Sequence, residues 1–120
     1  MSIFKDQTKF MTACGQSVDF HNEEQYELYV NLIEEEVGEL TEAIAVEDKV
    51  EQLDALIDIL VVTVGAINSL GADGQGAWDE VMRTNFAKIN PVTGKVIKRD
   101  DGKILKPDDW TAPVLAPYLD

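Results

Sequence analysis

The sequence predicts an all-α protein, a bundle of four-helix type that is followed by a hairpin and an irregular tail. Four segments within the first 89 residues carry apolar residues at the spacing that aligns them on one side of a helix. Two of these segments are followed by a glycine, which commonly ends a helix. After residue 90 the pattern changes to short alternating segments and prolines, so we expect regular helix to stop there.

The first three predicted helices cover, in chain order, residues 3–14, 23–46 and 48–70. Gly15 and Gly71 fit as stops for the first and third helices. From Leu53 onward the third helix is apolar nearly all round, and such a helix must be covered on every side. We therefore expect it to lie at the centre of the bundle and to contact a second subunit as well.

The fourth predicted helix covers about residues 74–89, with Asp73 as its N-cap. Beyond it, residues 95–98 and 103–106 alternate in the manner of two short strands. The Asp101-Gly102 pair between them favours a tight turn, so the two segments are predicted to pair as a hairpin.

The chain of 120 residues is expected to form a single domain, residues 1–120, with a helical core over 2–89 and a basic tail over 90–120. Its formal net charge of −13 argues against nucleic acid or an anionic membrane as a partner. Cys14 is the only cysteine, which favours a reducing compartment. The N-terminus lacks an apolar signal core, and the longest apolar run, 59–67, is short for a membrane span. These features predict a cytoplasmic protein.

Charge is distributed unevenly along the chain. Residues 23–58 contain 13 Asp and Glu against one Lys, whereas residues 83–106 contain seven of the ten Lys and Arg. An acidic middle followed by a basic segment indicates either intramolecular attraction or a metal site beside an anion site.

Several of the acids fall on helix faces that are otherwise apolar. At about 100° per residue, Glu36 lies in the middle of the apolar arc of the second helix, Glu39 at its edge and Glu35 just beyond. Most other glutamates of that helix are expected to face solvent. In the third helix one stripe contains Glu51, Asp54 and Asp58.

Carboxylates on buried faces need a compensating charge, since an unpaired one costs several kcal/mol or becomes protonated. Lys and Arg are absent from these faces, so a divalent metal ion is the simplest compensator. The ligands are all oxygens, which favours Mg²⁺ or Mn²⁺ over Zn²⁺. A di-iron bundle would need histidine ligands, and the single histidine, His21, precedes the helices. The alternative is an ordinary solvated charge run, which fits the inward phase of Glu36 and Glu39 less well.

Mg²⁺ bound by carboxylates usually takes phosphate oxygens of a substrate as further ligands. The basic segment 83–106 could hold the rest of a polyphosphate. A metal, cationic side chains and a carboxylate base together suit the attack of water on a phosphoanhydride. The sequence has no Gly-x-x-x-x-Gly-Lys motif, which excludes a P-loop mechanism.

The element Glu35-Glu36-x-x-Glu39, followed by a second acidic helix, resembles the all-α nucleoside triphosphate pyrophosphohydrolases. This superfamily includes MazG, the dimeric dUTPases and the phosphoribosyl-ATP pyrophosphohydrolases. The resemblance covers nearly the whole chain and is greatest to the compact MazG-like branch that is often seen in phages and bacteria. The segments that carry it are FMTACGQ (10–16), LIEEEVGELTEAI (32–44), DALIDILVVTVG (54–65), NFAK (85–88) and DGKILKP (101–107).

This resemblance implies a helical bundle that is active as a homodimer or a dimer of dimers. It implies Mg²⁺- or Mn²⁺-dependent cleavage between the α and β phosphates of a nucleoside triphosphate, which gives a nucleoside monophosphate and pyrophosphate. Glu36 and Glu39 would be metal ligands. Glu35 would be a further ligand or the group that activates water.

The second acidic motif can be aligned in two ways. Glu51 and Asp54 fit the Glu-x-x-Asp of the superfamily directly. Alignment on the downstream apolar run and Gly71 instead places Asp58 at the position of the Asp, with Ala55 in place of the Glu. We prefer Glu51 and Asp54 as ligands, with Asp58 as a second ligand or a supporting acid.

Five residues are candidates for contact with the substrate. Asn85 and Lys88 resemble an Asn-x-x-Lys that faces the phosphates or the sugar, and Lys103 and Lys106 would belong to a tail that closes over the nucleotide. Gln16 is a candidate for contact with the base.

The sequence leaves the role of each tryptophan and the identity of the substrate open. Trp78 is expected to be a core residue, whereas Trp110 either docks on the core or contacts the nucleotide or a second subunit. Two other functions remain: a non-enzymatic acidic helical protein for interaction or assembly, and the same fold acting on a phosphoribosyl nucleotide. The base and sugar preference has no readable signature.

Overall fold

The computed structural model describes residues 2–119, and its regular structure is helical, which confirms the predicted all-α class. A single turn of 3-10 helix, Ala116–Tyr118, follows the four α-helices. The α-helices are α1 (Ile3–Ala13), α2 (Glu23–Ala45), α3 (Lys49–Ser69) and α4 (Gly74–Phe86). None of the helices in this described part combines the length and the hydropathy that a membrane span requires.

The predicted helix ends have identifiable caps. The side chains of Ser2, Asn22 and Asp48 precede α1, α2 and α3, and each accepts a hydrogen bond from the backbone N–H three residues later. Such bonds satisfy one of the amide groups that the first turn of a helix leaves without a partner. After α1 and α3 the chain turns at Gly15 and Gly71, whose φ angles of 75° and 78° suit glycine.

The chain forms two compact units, one of residues 2–74 together with Leu119 and one of residues 75–118. In the first unit α2 and α3 are joined by residues 46–48 and pack along each other as the main helix pair. Helix α1 packs against α3. The first unit is therefore a small helical bundle with α3 in contact with both other helices.

The core of the first unit lies where these three helices meet. Its buried members are Met11, Tyr29, Val62 and Ala66. On α3, by contrast, several apolar side chains remain open: Leu53 is 62% exposed, Ile57 49% and Leu60 47%. The expectation that α3 is covered on every side is thus not met within this one chain.

In the second unit, α4 ends three residues before its predicted end. Residues 87–89 continue as hydrogen-bonded turns instead of helix. The predicted hairpin is present in part. Backbone bonds join Arg99 to Lys103 and Ile97 to Leu105 around a turn at Gly102, whose φ is 89°. Within residues 2–119, however, the pairing amounts to isolated bridges and not to strands.

Candidate metal centre

Three of the predicted acids come together between α2 and α3. Glu36 and Glu39 lie one turn apart on α2, so both side chains project from the same face of the helix. Asp58 projects from α3. One carboxylate oxygen from each of the three residues lies within 4.8 Å of the others. Phase along the two helices predicted acids on facing sides of α2 and α3, but it did not choose Asp58 over Asp54. The short α2–α3 connection brings these faces together.

The cluster is electrostatically unfavourable without a cation. Oε2 of Glu36 is buried and has no hydrogen-bond partner. Burial, a hydrogen-bonding interaction with Glu39 and the charges of Glu39, Asp58 and Asp54 raise the pKa of Glu36 to about 7. Burial, followed by the charges of Asp54 and Glu39, also raises the pKa of Asp58. Both carboxyl groups therefore resist ionisation in the protein alone.

An open cleft continues from the cluster. It has a volume of about 530 Å³, and Glu39 lines it together with Glu51 and Asp54. Glu39 belongs to both the cluster and the cleft, so the cleft acids Glu51 and Asp54 adjoin the cluster. Glu42, which is exposed, also lines this cleft.

The donor set fits a hard divalent cation. Its atoms are all carboxylate oxygens, which Mg²⁺ and Mn²⁺ prefer. In residues 2–119, the ion pairs are His21–Glu23, Arg83–Glu80 and Arg99–Asp101, so no lysine or arginine neutralises the cluster. A cation beside Glu36 would give Oε2, which has no hydrogen-bond partner, a ligand contact and would remove the repulsion among the three carboxylates. The cluster can therefore hold a divalent metal ion.

The structure separates the two candidate aspartates. Asp58 lies in the three-residue cluster, whereas Asp54 lines the cleft with Glu51. Asp54 is still close enough for its charge to raise the pKa values of Glu36 and Asp58. The preference for Asp54 over Asp58 as the primary ligand stays a prediction, and the geometry of the protein alone does not favour it.

Two further candidates of the first unit lie in different environments. Glu35 is exposed on α2, next to Glu36 in sequence but outside the three-residue cluster. Gln16 is half-buried, and its Oε1 accepts a hydrogen bond of 2.5 Å from the hydroxyl of Tyr29. The side chain of Gln16 is thus already fixed by the core.

In the second unit, three of the four predicted substrate-binding residues gather at one place. Lys88 Nζ donates to Asn85 Oδ1 at 3.2 Å, and the ammonium groups of Lys88 and Lys106 both lie over the ring of Trp110. Lys103 is exposed, and its backbone N–H donates to Asp101. The predicted core role of Trp78 is not reproduced within the chain, since its side chain is 51% exposed.

Sequence reasoning missed that the two arginines of the basic segment are already paired. Arg83 Nε donates to Glu80 at 2.7 Å, and Arg99 forms two hydrogen bonds with Asp101. The i, i+3 spacing of Glu80 and Arg83 on the predicted fourth helix would have indicated the first pair. Arg99 and Asp101 lie two residues apart outside the helices, and that spacing gives no comparable signal. The arginines are therefore less available to an anion than the lysines.

Together these features define an all-α protein with an acidic site between the two helices of its main pair. Comparison with protein-family models identifies the family: the model for phosphoribosyl-ATP pyrophosphohydrolase matches residues 9–85. The chain belongs to this family, which is part of the MazG-like all-α nucleoside triphosphate pyrophosphohydrolase superfamily. Membership implies a pyrophosphohydrolase that acts on a nucleotide. No significant match was found among curated proteins.

Proposed function

We propose that this protein hydrolyses a nucleoside or deoxynucleoside triphosphate between the α and β phosphates, with Mg²⁺ or Mn²⁺ as its cofactor. The single observation that supports it best is the cluster of half-buried Glu36 and Asp58 with exposed Glu39, in which Oε2 of Glu36 is buried and lacks a hydrogen-bond partner. In a helix pair that has no structural need for three adjacent carboxylates, such a cluster suits metal-assisted hydrolysis.

Glu36, Glu39 and Asp58 are the proposed metal ligands, with Glu51 and Asp54 on the adjoining cleft as further ligands. A bound Mg²⁺ or Mn²⁺ would neutralise charge on the phosphates and polarise the phosphorus–oxygen bonds. The cleft beside the cluster is open, which suits an ion shared between protein and substrate.

The proposed reaction adds water to a phosphorus atom of the α–β anhydride. The bond from that phosphorus to the bridging oxygen breaks, and pyrophosphate and a nucleoside monophosphate leave. The proton of the water passes to a carboxylate, for which Glu35 and Glu36 are the candidates. Glu35 is exposed next to the proposed ligands, and Glu36 is one of them, so either carboxylate would lie close to a water held by the metal.

Five residues are proposed to contact the substrate: Gln16, Asn85, Lys88, Lys103 and Lys106. The lysines suit the phosphates, since each presents an ammonium group that can donate several hydrogen bonds. Gln16 suits the base, although its engagement by Tyr29 leaves mainly its amide N–H groups for a ligand.

Product analysis tests the proposal. We expect ³¹P NMR to detect pyrophosphate and a monophosphate when the protein is incubated with a panel of canonical dNTPs and NTPs and either metal ion. Glu36→Gln should abolish turnover, whereas Glu34→Gln, an exposed neighbour on α2, should not change it. Orthophosphate as the product, or no turnover of any nucleotide by folded protein, would contradict the proposal.

The family name makes a phosphoribosyl nucleotide the second candidate substrate. The same panel decides between the two, provided that it includes phosphoribosyl-ATP. If only phosphoribosyl-ATP is hydrolysed, it is the substrate in place of a nucleoside triphosphate. The proposed roles of the acids stay the same.

We also propose that the active form is a homodimer or a dimer of dimers, acting in the cytoplasm. The supporting observation is the open apolar face of α3, where Leu53, Ile57 and Leu60 would gain cover from a second copy. Light scattering coupled to size exclusion should give at least twice the chain mass, and Leu60→Glu should shift it toward the monomer.

A further inference from the structure

Two lysines of the second unit converge on one aromatic ring. The Nζ atom of Lys106 lies 4.5 Å from the centroid of the Trp110 ring, and that of Lys88 lies 5.4 Å from the same point. Both distances fall within the range of a cation–π interaction. Because they share one reference point, the two ammonium groups cannot be farther apart than the two distances combined.

The ring itself is fixed on α4 by the tail. Trp110 Nε1 donates a 2.6 Å hydrogen bond to the carbonyl oxygen of Thr84, a residue only 2% exposed. This carbonyl lies in the last turn of the helix, where carbonyl groups lack a partner further along. Four residues later, the backbone N–H of Val114 donates to Glu80 Oε2 at 2.8 Å, one turn back along α4. Two anchors thus hold the tail and orient the indole.

The converging lysines carry charge that the rest of the described chain does not neutralise. Within residues 2–119, no carboxylate forms an ion pair with Lys88 or Lys106, whereas Arg83 and Arg99 each have one. The one side-chain bond of Lys88 goes to the neutral amide of Asn85. Two ammonium groups held near each other repel, so the pair favours an anion whose separate oxygens reach both.

We propose that Trp110 is a positioning residue that holds Lys88 and Lys106 as one cationic clamp for the polyphosphate of the substrate. The identity of the anion rests on the function proposed above. The ring restrains two long side chains before the ligand arrives, which reduces the entropy lost when they are ordered on binding. Two separated ammonium groups also match a chain of phosphates better than a single phosphate.

Binding of inorganic pyrophosphate, with EDTA present to remove metal ions, tests the clamp without catalysis. By calorimetry, Trp110→Leu, Lys88→Gln and Lys106→Gln should each weaken binding by roughly tenfold, the loss of about one good charged contact. Trp110→Phe should retain most of the affinity, because a phenyl face also attracts ammonium groups. Lys95→Gln removes an equal charge from the same unit away from the ring and should leave binding unchanged.

Steady-state kinetics separate positioning from general damage. In Trp110→Leu we expect KM for the nucleotide to rise by roughly tenfold while kcat stays within about twofold, the pattern of lost ground-state binding. Combining Trp110→Leu with Lys106→Gln should cost less than the sum of the two changes, because the ring acts through the lysine. Circular dichroism should report unchanged helicity in every variant.

The results test the clamp and the proposed function separately. Nucleotide hydrolysis with pyrophosphate affinity that is the same in Trp110→Leu and the unchanged protein would overturn the clamp and leave the proposed function standing. Pyrophosphate binding that needs Trp110 and both lysines, without hydrolysis of any nucleotide, would support the clamp and overturn the proposed function. If Trp110→Phe loses as much affinity as Trp110→Leu, the hydrogen bond to Thr84 and not the ring face is what matters, which also overturns the inference.

Discussion

The ring of Tyr29 in α2 lies directly against the backbone of Gly65 in α3. A methyl group at position 65 would come within 2.2 Å of the ring carbon Cε1, far inside van der Waals contact. Tyr29 is only 5% exposed, and its hydroxyl donates to Gln16 Oε1. The glycine therefore sets the spacing of the main helix pair and, through the ring, the place of Gln16.

Gly65→Ala should destabilise the protein by about 1–3 kcal/mol, since the buried ring cannot move aside without disturbing the core. Urea denaturation measures this as a lower free energy of unfolding. Gly38→Ala is the matched control: it lies in α2, and a methyl group there meets nothing within 4 Å. It should be neutral or stabilise by up to about 1 kcal/mol. Equal stability of Gly65→Ala and the unchanged protein would contradict the close packing.

Most of the fold could be predicted because its signals are local. Apolar spacing and glycine stops placed α1, α2 and α3 to within a residue at their ends. Helix α4 ends three residues early, and Pro91 shortly afterwards disfavours helical geometry in the residue before it. The contact of Tyr29 with Gly65 could not be predicted. The spacing of residues along α3 shows that Gly65 lies on a packed face, but it does not show which side chain of α2 packs against that glycine.

The sequence also predicted part of the candidate metal site. Glu36 interrupts an otherwise apolar arc, so its inward direction follows from phase alone. The choice between Asp54 and Asp58 depends on how α3 is rotated about its own axis. Because α3 is apolar nearly all round, its sequence does not show which side faces α2. Both alignments of the Glu-x-x-Asp motif, one on Asp54 and one on Asp58, were therefore possible.

The stability of the metal-free protein should fall as pH rises from about 4.5 to about 7. The pKa of Glu36 is raised to about 7 in the folded chain, from an ordinary value of 4.5. In that window the folded state binds more protons than the unfolded state, so the free energy of unfolding decreases with pH. The raised pKa of Asp58 acts in the same direction. Thermal melts in EDTA at several pH values measure the slope.

Glu36→Gln should flatten this slope, because the amide stays neutral throughout. Its melting temperature should exceed that of the unchanged protein at pH 8 and approach it at pH 5, where Glu36 is protonated in the fold. Glu34→Gln changes an exposed position of the same helix and should leave the slope as it is. A melting temperature for Glu36→Gln below that of the unchanged protein at pH 8 would mean that the cluster is not repulsive.

Addition of Mg²⁺ or Mn²⁺ at pH 8 should raise the melting temperature, since a ligand that binds only the folded state stabilises it by mass action. Paired variants then locate the ligands. Asp58→Asn should lose most of the shift if the three-residue cluster binds the ion, whereas Asp54→Asn should keep most of it. The reverse result would favour the alignment with Glu51 and Asp54. No shift in the unchanged protein with either ion would argue against a metal site.

The attachment of the tail to α4 at Val114 should depend on the carboxylate of Glu80. Hydrogen bonds from Arg83 and from the Val114 backbone hold the pKa of Glu80 at about 2, so this group stays ionised and anchors the tail at ordinary pH. In Glu80→Ala the N–H of Val114 loses its acceptor, and its hydrogen exchange should become faster while helicity is kept. Asp79→Asn is a fitting control, because Asp79 accepts a hydrogen bond from the side chain of Gln75 and not from the tail.

Because the Trp110 anchor to Thr84 is independent of Glu80, hydrogen exchange near Trp110 should change less than at Val114. Equal acceleration at both places would instead mean that the tail is released as one piece.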